Sequence, residues 1–442
     1  MNRYNLYKDS GISWLGNIPS NWDVIRNKYF TIPIQDKSET GTEELLSVSE
    51  KKGVIPRRSI RNEEEHLSTS KTLVGYLKVL PGDLVSNIML MWKRGLGVSN
   101  FKGIVSPSYS VFRFIDSEPK YYHYLFRTDQ YVSEFRRNST GVIESRLRLY
   151  DDSFGLISSH RPPLSEQKQI VTFLDDKTKK IDSLIQQKEK KIELLKEKRS
   201  SLINHVVTKG LDSNVEMKDS GVEWIGKIPS HWEITKFKYK GEVIIGLSYK
   251  PENLVDKGEG TLVMRSSNVQ NGKPSFNDNV YVDCKISDKL KTREGDILIC
   301  SRNGSRKLIG KNCLITKDIE GMSWGVFMTM YRTPNYKYFY WLLNSPVFKS
   351  QSGLFLTSTI NQLTVSTLEN MIVPYVNDEN EQQQIVEYLD KQTEEIDTLI
   401  QLEQKKIDTL KEYRQSLILN VVTGKIRVCK EDDSLSLNSQ TI

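Results

Sequence analysis

The chain has 442 residues, of which 27% are charged and 37% hydrophobic, and its formal net charge is +7. This composition excludes a disordered protein, and the length allows about two to four domains. No apolar run reaches the roughly 18 residues that a membrane span requires, and the N-terminus lacks a secretory-signal pattern. We therefore expect a soluble, cytoplasmic protein. The four cysteines show no C-x-x-C spacing, which predicts reduced thiols rather than disulfides or a zinc site.

The sequence contains an internal duplication. Residues 8–22, KDSGISWLGNIPSNW, return 210 residues later at 218–232 as KDSGVEWIGKIPSHW, with ten of 15 positions identical. A second pair consists of EQKQIV at 166–171 and EQQQIV at 381–386. Two half-length copies are too long and too few for a solenoid, so we predict two similar halves. We predict that four tryptophans of the first pair anchor the core: Trp14, Trp22, Trp224 and Trp232.

Two inserts, roughly residues 23–162 and 233–374, separate the repeated motifs and have little sequence in common. Each contains short β-rich runs, such as residues 109–114 and 326–331, punctuated by Gly, Pro, Asn and Ser. Each then becomes aromatic and helix-like. We predict a small mixed α/β domain in each insert. The resemblances between them are local: Gly82-Asp83 with Gly295-Asp296, and Val111-Phe112 with Val326-Phe327.

Each copy ends in a long helix with an apolar seam. Eight of 11 positions spaced alternately by three and four residues are apolar in both helices, which is the pattern of a coiled coil. In the first helix these positions are Val171, Leu174, Thr178, Ile181, Ile185, Lys188, Ile192, Leu195, Arg199, Leu202 and Val206. In the second they are Val386, Leu389, Thr393, Ile396, Ile400, Glu403, Ile407, Leu410, Arg414, Leu417 and Val421.

The polar seam residues indicate that the two helices pair with each other. Lys188 and Glu403 occupy the middle of their seams, and an antiparallel pairing that sets them opposite brings Arg199 near Gln392 and Thr393, and Arg414 near Lys177 and Thr178. The helices carry net charges of +4 (164–210) and −4 (379–425), which favours an intramolecular pair. In the alternative, both seam charges reach solvent and each helix packs on another protein.

The predicted fold class is α+β. Two mixed α/β domains are separated by two long antiparallel coiled-coil helices, in a pseudo-two-fold internal repeat. The predicted boundaries are a first domain at 1–162, a first spacer helix at 163–210, a second domain at 211–376, a second spacer helix at 377–425 and a C-terminal tail at 426–442.

The inserts concentrate positive charge. Residues 86–148 have a balance of +5 and residues 297–353 a balance of +6, so both stretches suit an anionic partner. Because Asn can bridge adenine and Arg can bridge guanine with two hydrogen bonds, we predict that two loops bind DNA. The first loop comprises Ser86, Asn87, Trp92, Lys93 and Arg94. The second comprises Ser301, Arg302, Asn303, Ser305, Arg306 and Lys307. The alternative for any single residue is a solvated hairpin tip.

Further candidates for DNA contact are less distinctive. They are Ser108, Tyr109, Arg136, Arg137, Asn138, Arg146, Thr359 and Asn361. A capped helix terminus explains the segments around Asn138 and Thr359 equally well. The segment 106–109, Ser-Pro-Ser-Tyr, is a faint echo of the Asn-Pro-Pro-aromatic motif of DNA adenine methyltransferases.

Signals of catalysis are absent from the sequence. The five histidines stand far apart, and neither H-E-x-x-H nor G-x-S-x-G occurs. A glycine-rich stretch ending in Lys311 resembles a phosphate loop, but its spacing is one residue too long and Asn312 replaces the magnesium-binding Ser or Thr. We predict no catalytic residues, no metal site and no cofactor bound by this chain.

The duplicated KDSGxxWxGxIPxxW motif, followed by a variable region and an EQxxIVxxLD helix, resembles the specificity subunits of Type I restriction-modification enzymes. The resemblance covers nearly the whole chain. It implies two target-recognition domains that each read half of a bipartite DNA site. It also implies two methyltransferase subunits, which bring S-adenosylmethionine and methylate adenine N6, and two restriction subunits that require ATP and magnesium. Because the inserts differ, we expect an asymmetric site.

Two other functions compete with this one. The first is a coiled-coil scaffold or adaptor whose basic domains bind other macromolecules. The second is a nuclease or methyltransferase with an unrecognised site.

Overall fold

The structure is a computed structural model, and it describes residues 3–59, 72–143, 146–351 and 362–428. It divides into two compact units. Unit 1 comprises Met1–Lys188 with Lys405–Ile442, and unit 2 comprises Glu189–Gln404. Each unit therefore combines one insert with a segment of both long helices.

Unit 1 contains twelve named strands and three short helices in the part of the chain that is described. The strands are β1 (Tyr7–Asp9), β2 (Asn17–Pro19), β3 (Asp23–Arg26), β4 (Thr31–Pro33), β5 (Leu46–Ser49), β6 (Gly53–Pro56), β7 (Leu77–Val79), β8 (Leu84–Asn87), β9 (Leu96–Val98), β10 (Gly103–Val105), β11 (Tyr109–Phe114) and β12 (Ser158–Arg161). The helices are α1 (Pro119–Phe126), α2 (Asp129–Arg137) and α3 (Asp151–Leu156). The long helix α4 (Leu164–Lys209) begins in this unit and ends in unit 2.

Unit 2 repeats this sequence of elements and adds short strands. Its strands are β13 (Met217–Asp219), β14 (Lys227–Pro229), β15 (Glu233–Lys236), β16 (Glu242–Ile245), β17 (Leu254–Val255), β18 (Thr261–Met264), β19 (Val269–Gln270), β20 (Lys273–Pro274), β21 (Tyr281–Val282), β22 (Ile297–Cys300), β23 (Asn312–Leu314), β24 (Ser323–Trp324), β25 (Met328–Arg332) and β26 (Ile372–Tyr375). Its short helices are α5 (Tyr336–Leu343), α6 (Pro346–Ser350) and α7 (Val365–Asn370). The long helix α8 (Glu379–Val422) begins here and ends in unit 1.

Both inserts contain a four-stranded antiparallel sheet with the same strand order. The order is β4-β11-β8-β9 in unit 1 and β16-β25-β22-β23 in unit 2. The two inserts therefore have the same sheet topology, although their sequences hardly match. The predicted mixed α/β domain is confirmed in each half.

The Gly-Asp matches between the inserts have a structural reason. Asp83 is buried next to β8 and accepts two hydrogen bonds from the Arg113 guanidinium, at 2.9 and 3.0 Å. Asp296 accepts two bonds of 2.7 Å from Arg332 in the same way. A buried carboxylate needs such a charged partner. The pair ties the central strands β8 and β11, or β22 and β25, together at one end of each sheet.

The repeated motifs fold into a clamp that holds the start of each long helix. The buried indole of Trp22 donates to Glu166 Oε1 on α4 at 3.0 Å, and that of Trp232 donates to Glu381 Oε1 on α8 at 2.9 Å. Each glutamate belongs to the EQxxIV motif. The two repeated segments are thus the two sides of one contact, which explains why they occur together.

The tryptophan prediction is confirmed in part. Trp22 and Trp232 are fully buried, and Trp14 is half-buried with its ring edge-on to Tyr131 at 5.0 Å. The prediction of a core anchor is wrong for Trp224, because half of its surface is exposed. Its place in the motif is the same as that of Trp14, so the sequence alone could not separate the two.

Replacing Glu381 with alanine tests the clamp. The change leaves the buried Trp232 indole N–H without its acceptor, so we expect a loss of about 1 to 3 kcal/mol in the free energy of unfolding. Urea denaturation measures this loss. The matched control is Glu394→Ala, an exposed glutamate on the same helix, which should change stability by less than about 0.5 kcal/mol. Equal effects of the two variants would contradict the clamp.

Unit 1 buries a neutral histidine against the same clamp. His160 is fully buried, its ring lies edge-on to Trp22, and its Nδ1 shares a hydrogen bond of 2.9 Å with the Tyr131 hydroxyl. Burial, with a smaller contribution from the charge of Lys425, lowers the pKa of His160 from 6.5 to about 4. Because protonation is favoured in the unfolded chain, stability should fall as the pH drops from about 6.5 to 4.

This gives a pH prediction. Between pH 7.5 and pH 5, His160 alone should cost the fold about 2 kcal/mol, because the unfolded chain gains a proton that the folded chain does not. Denaturant unfolding at a series of pH values measures the slope. In His160→Gln the slope should be shallower over this window, whereas a slope identical to that of the unchanged protein would show that the prediction is wrong.

The apolar seams of the long helices are largely buried. In α4, Val171, Leu174, Ile181, Ile185, Ile192 and Val206 are each less than 10% exposed, and α8 buries Val386, Leu389, Ile396, Ile407, Leu417 and Val421 to a similar extent. The predicted pair of long antiparallel helices is confirmed by contacts within each unit.

Charged seam residues form ion pairs between α4 and α8. In unit 2, Arg199 donates to Asp397 at 3.1 Å, and Lys191 donates to the buried Glu403 at 3.0 Å. In unit 1, Arg414 donates to Asp182 at 3.3 Å.

The expected register needs a correction of about one helical turn. We expected Arg199 beside Gln392 and Thr393, and Arg414 beside Lys177 and Thr178. Each arginine instead pairs with the aspartate four residues beyond the threonine, because a carboxylate offers it a charged acceptor. The pairing of Lys188 with Glu403 stays a prediction.

Candidate nucleic-acid interface

The two predicted DNA-binding loops occupy the same position in the two units. The first contains the β8–β9 connection and the second the β22–β23 connection, and each joins the third and fourth strands of its sheet. Each includes one turn of 3-10 helix, Met91–Lys93 or Arg306–Leu308. Each unit therefore carries a loop of different sequence at the equivalent end of its own sheet.

In the first loop, the strand end is part of the sheet. Ser86 lies within β8 and is buried, so its hydroxyl does not face a partner on the surface. Asn87 is half-buried, and its Oδ1 accepts the Met89 N–H at 3.0 Å. That bond leaves the Nδ2 group of Asn87 as the donor that could reach a base. We therefore correct the prediction that Ser86 contacts DNA: it is a buried residue of β8.

Trp92 is a buried residue that stabilises the first loop. Its side chain is 5% exposed, and its indole N–H donates to the Met89 carbonyl at 2.9 Å. Lys93 Nζ lies 4.6 Å and the Arg136 guanidinium carbon 5.3 Å from the indole centroid. We correct Trp92 from a DNA contact to a buried platform that holds two exposed cations together.

Arg94 has a structural role in the loop. It adopts the left-handed conformation with a φ of 64°, and its guanidinium donates to the Arg127 carbonyl at 3.1 Å and to Asp129. A guanidinium held by two partners is less free to read a base. Arg94 therefore fixes the connection between the loop and the α1–α2 turn.

The secondary candidates of unit 1 lie at different places around this loop. Ser108 is exposed, Tyr109 is the strand partner of Asn87, and Arg137 is exposed in the last turn of α2. Asn138 donates to the Glu134 carbonyl at 2.9 Å, which fits the alternative of a capped helix terminus. Arg146 is exposed.

In the second loop, the side chains of Ser301 and Asn303 hold the loop in place. Ser301 is buried and its hydroxyl donates to the Phe327 carbonyl at 2.9 Å. Asn303 Nδ2 donates to Ser266 Oγ at 3.1 Å, and its Oδ1 accepts the Ser305 N–H at 3.0 Å. Arg302 is half-buried, with its guanidinium carbon 5.0 Å from the centre of the Phe327 ring. Ser301 is thus corrected from a DNA contact to a loop anchor.

The tip of the second loop is exposed and basic. Ser305, Arg306 and Lys307 all face solvent. From Ile297 to Lys317 the chain has five basic residues and no acidic one. The last candidates of unit 2, Thr359 and Asn361, lie outside the described residues.

Lys311 closes the base of the same loop. Its ammonium donates to the Ser266 carbonyl at 2.5 Å and to the Val269 carbonyl at 3.0 Å. These two hydrogen bonds give Lys311 a structural role, so its position after a glycine does not require a phosphate-binding loop.

No group of three or more His, Cys, Asp or Glu side chains within 3–59, 72–143, 146–351 and 362–428 could hold a metal ion. Over the same ranges no helix is long and apolar enough to cross a membrane. Cys284, Cys300 and Cys313 are free thiols, and burial raises the pKa of Cys313 to about 12.

A functional candidate that the sequence did not single out is Phe327. It is 53% exposed and stands beside Arg302 at the same end of the sheet as the loop. We had placed it in a strand at 326–331, but β25 begins at Met328. The available signal in the sequence was an exposed-turn pattern, an aromatic residue two positions after Gly325.

Comparisons with known proteins show what the chain is similar to. Residues 230–412 match the family model described as the Type I restriction modification DNA specificity domain. A specificity subunit of the Type I restriction enzyme MjaVIII of Methanocaldococcus jannaschii is 24% identical over 433 residues, which is 93% of this chain and 94% of that protein. Over nearly its whole length the chain is similar to a specificity subunit of a Type I restriction enzyme, and part of its second half matches the family model of these proteins.

Another specificity subunit and two solved structures extend the similarity. The EcoKI specificity subunit of Escherichia coli is 29% identical over 170 residues, covering 37% of this chain and 34% of that protein. Among solved structures, a chain from a study of Type I restriction-modification complex assembly has a TM-score of 0.71 at 15% identity, with 92% of this chain and 99% of that chain covered. The HsdS subunit of Thermoanaerobacter tengcongensis has a TM-score of 0.53 at 15% identity, covering 92% and 98%. These likenesses show a shared fold.

Proposed function

We propose that this chain is the DNA-recognition subunit of a Type I restriction-modification complex and reads an asymmetric bipartite site. The observation that carries the proposal is the pair of non-identical basic loops at the same connection of two sheets with the same strand order. Similar scaffolds with different loops would read two different half-sites. In this proposal the target-recognition domains span 1–162 and 211–376.

The chain performs no chemistry in this proposal. Two methyltransferase subunits bind S-adenosylmethionine and methylate adenine N6, and two restriction subunits use ATP and magnesium to cut unmethylated DNA, all in the cytoplasm. These partners are what the resemblance to specificity subunits implies. The basic loops supply the sequence preference that directs them.

A binding experiment with the purified full-length chain tests the proposal. We expect enrichment of one bipartite duplex from a random library, and binding to it that weakens steeply as the salt concentration rises. A scaffold for acidic proteins would enrich no sequence. Methyl transfer by the chain alone would contradict the non-catalytic role.

A further inference from the structure

The most prominent unassigned side chain at the candidate interface is Phe327. Its carbonyl accepts hydrogen bonds from the backbone N–H groups of Ser301 and Arg302, both at 3.0 Å, in addition to the Ser301 hydroxyl. The backbone at Phe327 is therefore fixed to the start of the basic loop, while its ring is 53% exposed. An aromatic ring held at a defined place and left open to solvent is suited to an apolar contact.

A β-turn explains the exposure. The Met328 N–H donates to the Gly325 carbonyl at 2.8 Å, which makes Val326 and Phe327 the central residues of a four-residue turn. Central residues of a turn point away from the sheet, and Val326 is 39% exposed as well. The turn, rather than an irregular tail of the strand, sets the direction of the ring.

The same turn occurs in unit 1 with a different chemistry. There the Tyr109 N–H donates to the Ser106 carbonyl at 2.9 Å, so that Pro107 and Ser108 are the central residues. Ser108 and Phe327 each lie five residues before the arginine that binds the buried aspartate of the sheet. At one equivalent position, one unit presents a hydroxyl group and the other a ring.

The surroundings of Phe327 favour DNA over a protein as the partner. Arg302 lies against the ring, and the loop between β22 and β23 carries four basic and no acidic residues. In the major groove, thymine is the base that offers an apolar group, its 5-methyl, and phenylalanine is among the side chains that contact it.

We propose that Phe327 is a specificity-determining residue that packs against the 5-methyl group of a thymine in the half-site read by unit 2. The inference rests on the proposed DNA recognition and deepens it. Ser108 at the equivalent position makes no such contact, so this thymine distinguishes the two half-sites.

Thymine-to-deoxyuridine substitution tests the contact, because it removes only the methyl group. First, the full-length chain is used to enrich its site from random duplexes. Each thymine is then replaced singly by deoxyuridine. One replacement should weaken binding about fourfold, as expected for one methyl group removed from an apolar contact. In Phe327→Ala the same replacement should have no further effect, since the partner of the methyl group is gone.

The matched control is Tyr239→Ala. Tyr239 is an aromatic residue with 69% exposure just before β16, at the opposite end of the same sheet, where Glu242 pairs with Arg332. This variant should respond to deoxyuridine as the unchanged protein does. Thermal unfolding of both variants should match that of the unchanged protein, because both side chains are largely exposed.

The outcomes separate the two proposals. A half-site without thymine, or a Phe327→Ala variant with an unchanged response at every thymine, would overturn the contact while leaving DNA recognition intact. Failure of the unchanged chain to enrich any sequence would overturn the proposed function and the contact with it.

Discussion

Replacing Glu403 with lysine should destabilise the protein by about 3 to 5 kcal/mol, because it places a second cation beside Lys191 at a buried position. Glu403 is 4% exposed and accepts from Lys191 at 3.0 Å between the two long helices. Urea denaturation measures the loss. A loss below about 1 kcal/mol, the level of an exposed pair, would contradict the burial of this charge.

A second substitution tests which lysine is the partner. Adding Lys191→Glu to Glu403→Lys reverses the observed pair, and we expect it to restore at least about half of the lost stability. Adding Lys188→Glu instead tests the pair predicted from the heptad pattern. Rescue by Lys188→Glu but not by Lys191→Glu would contradict the importance of the Lys191–Glu403 contact.

Replacing Arg302 with alanine should relax base preference in one half-site by about ten- to a hundredfold, the value of one bidentate contact between arginine and a base. Arg302 begins the basic loop of unit 2, so the half-site read by unit 1 should be unchanged. Competition binding with single-base variants of the enriched duplex measures both. Loss of preference in both half-sites would contradict the assignment of one half-site to each unit.

Two lysines provide the controls for that experiment. Lys307→Ala at the loop tip should weaken binding to all sequences alike and reduce the salt dependence by about one phosphate contact. Lys317→Ala lies beyond β23 in a different connection, and it should leave the base preference unchanged. A change of base preference in Lys317→Ala would mean that the β22–β23 loop is not the reading element.

The duplicated plan of the fold was predictable from the sequence because the repeated motifs contact each other. Trp22 with Glu166, and Trp232 with Glu381, are the two sides of a clamp, so their joint repetition indicated two similar halves. The apolar seam of each long helix was equally predictable, because its spacing of three and four residues is visible within the helix itself. The register between the two helices was not predictable, because the partner of an arginine depends on the packing of the opposite helix.

The place of the candidate site was predictable, but the role of individual side chains was not. The Gly-Asp matches marked the strand before each loop correctly. Ser86, Trp92 and Ser301 have residue types that can bind DNA, yet tertiary packing buries them. The match of Val326-Phe327 with Val111-Phe112 was misleading, because a turn at Gly325 precedes the strand and exposes Phe327.

The central claim is that this chain gives a modification complex its target. The most direct test is to map N6-methyladenine across host DNA with and without the gene that encodes the chain. We predict that its deletion removes methylation from one asymmetric bipartite motif and from no other. Methylation that is unchanged, or lost at a palindromic motif, would contradict the account.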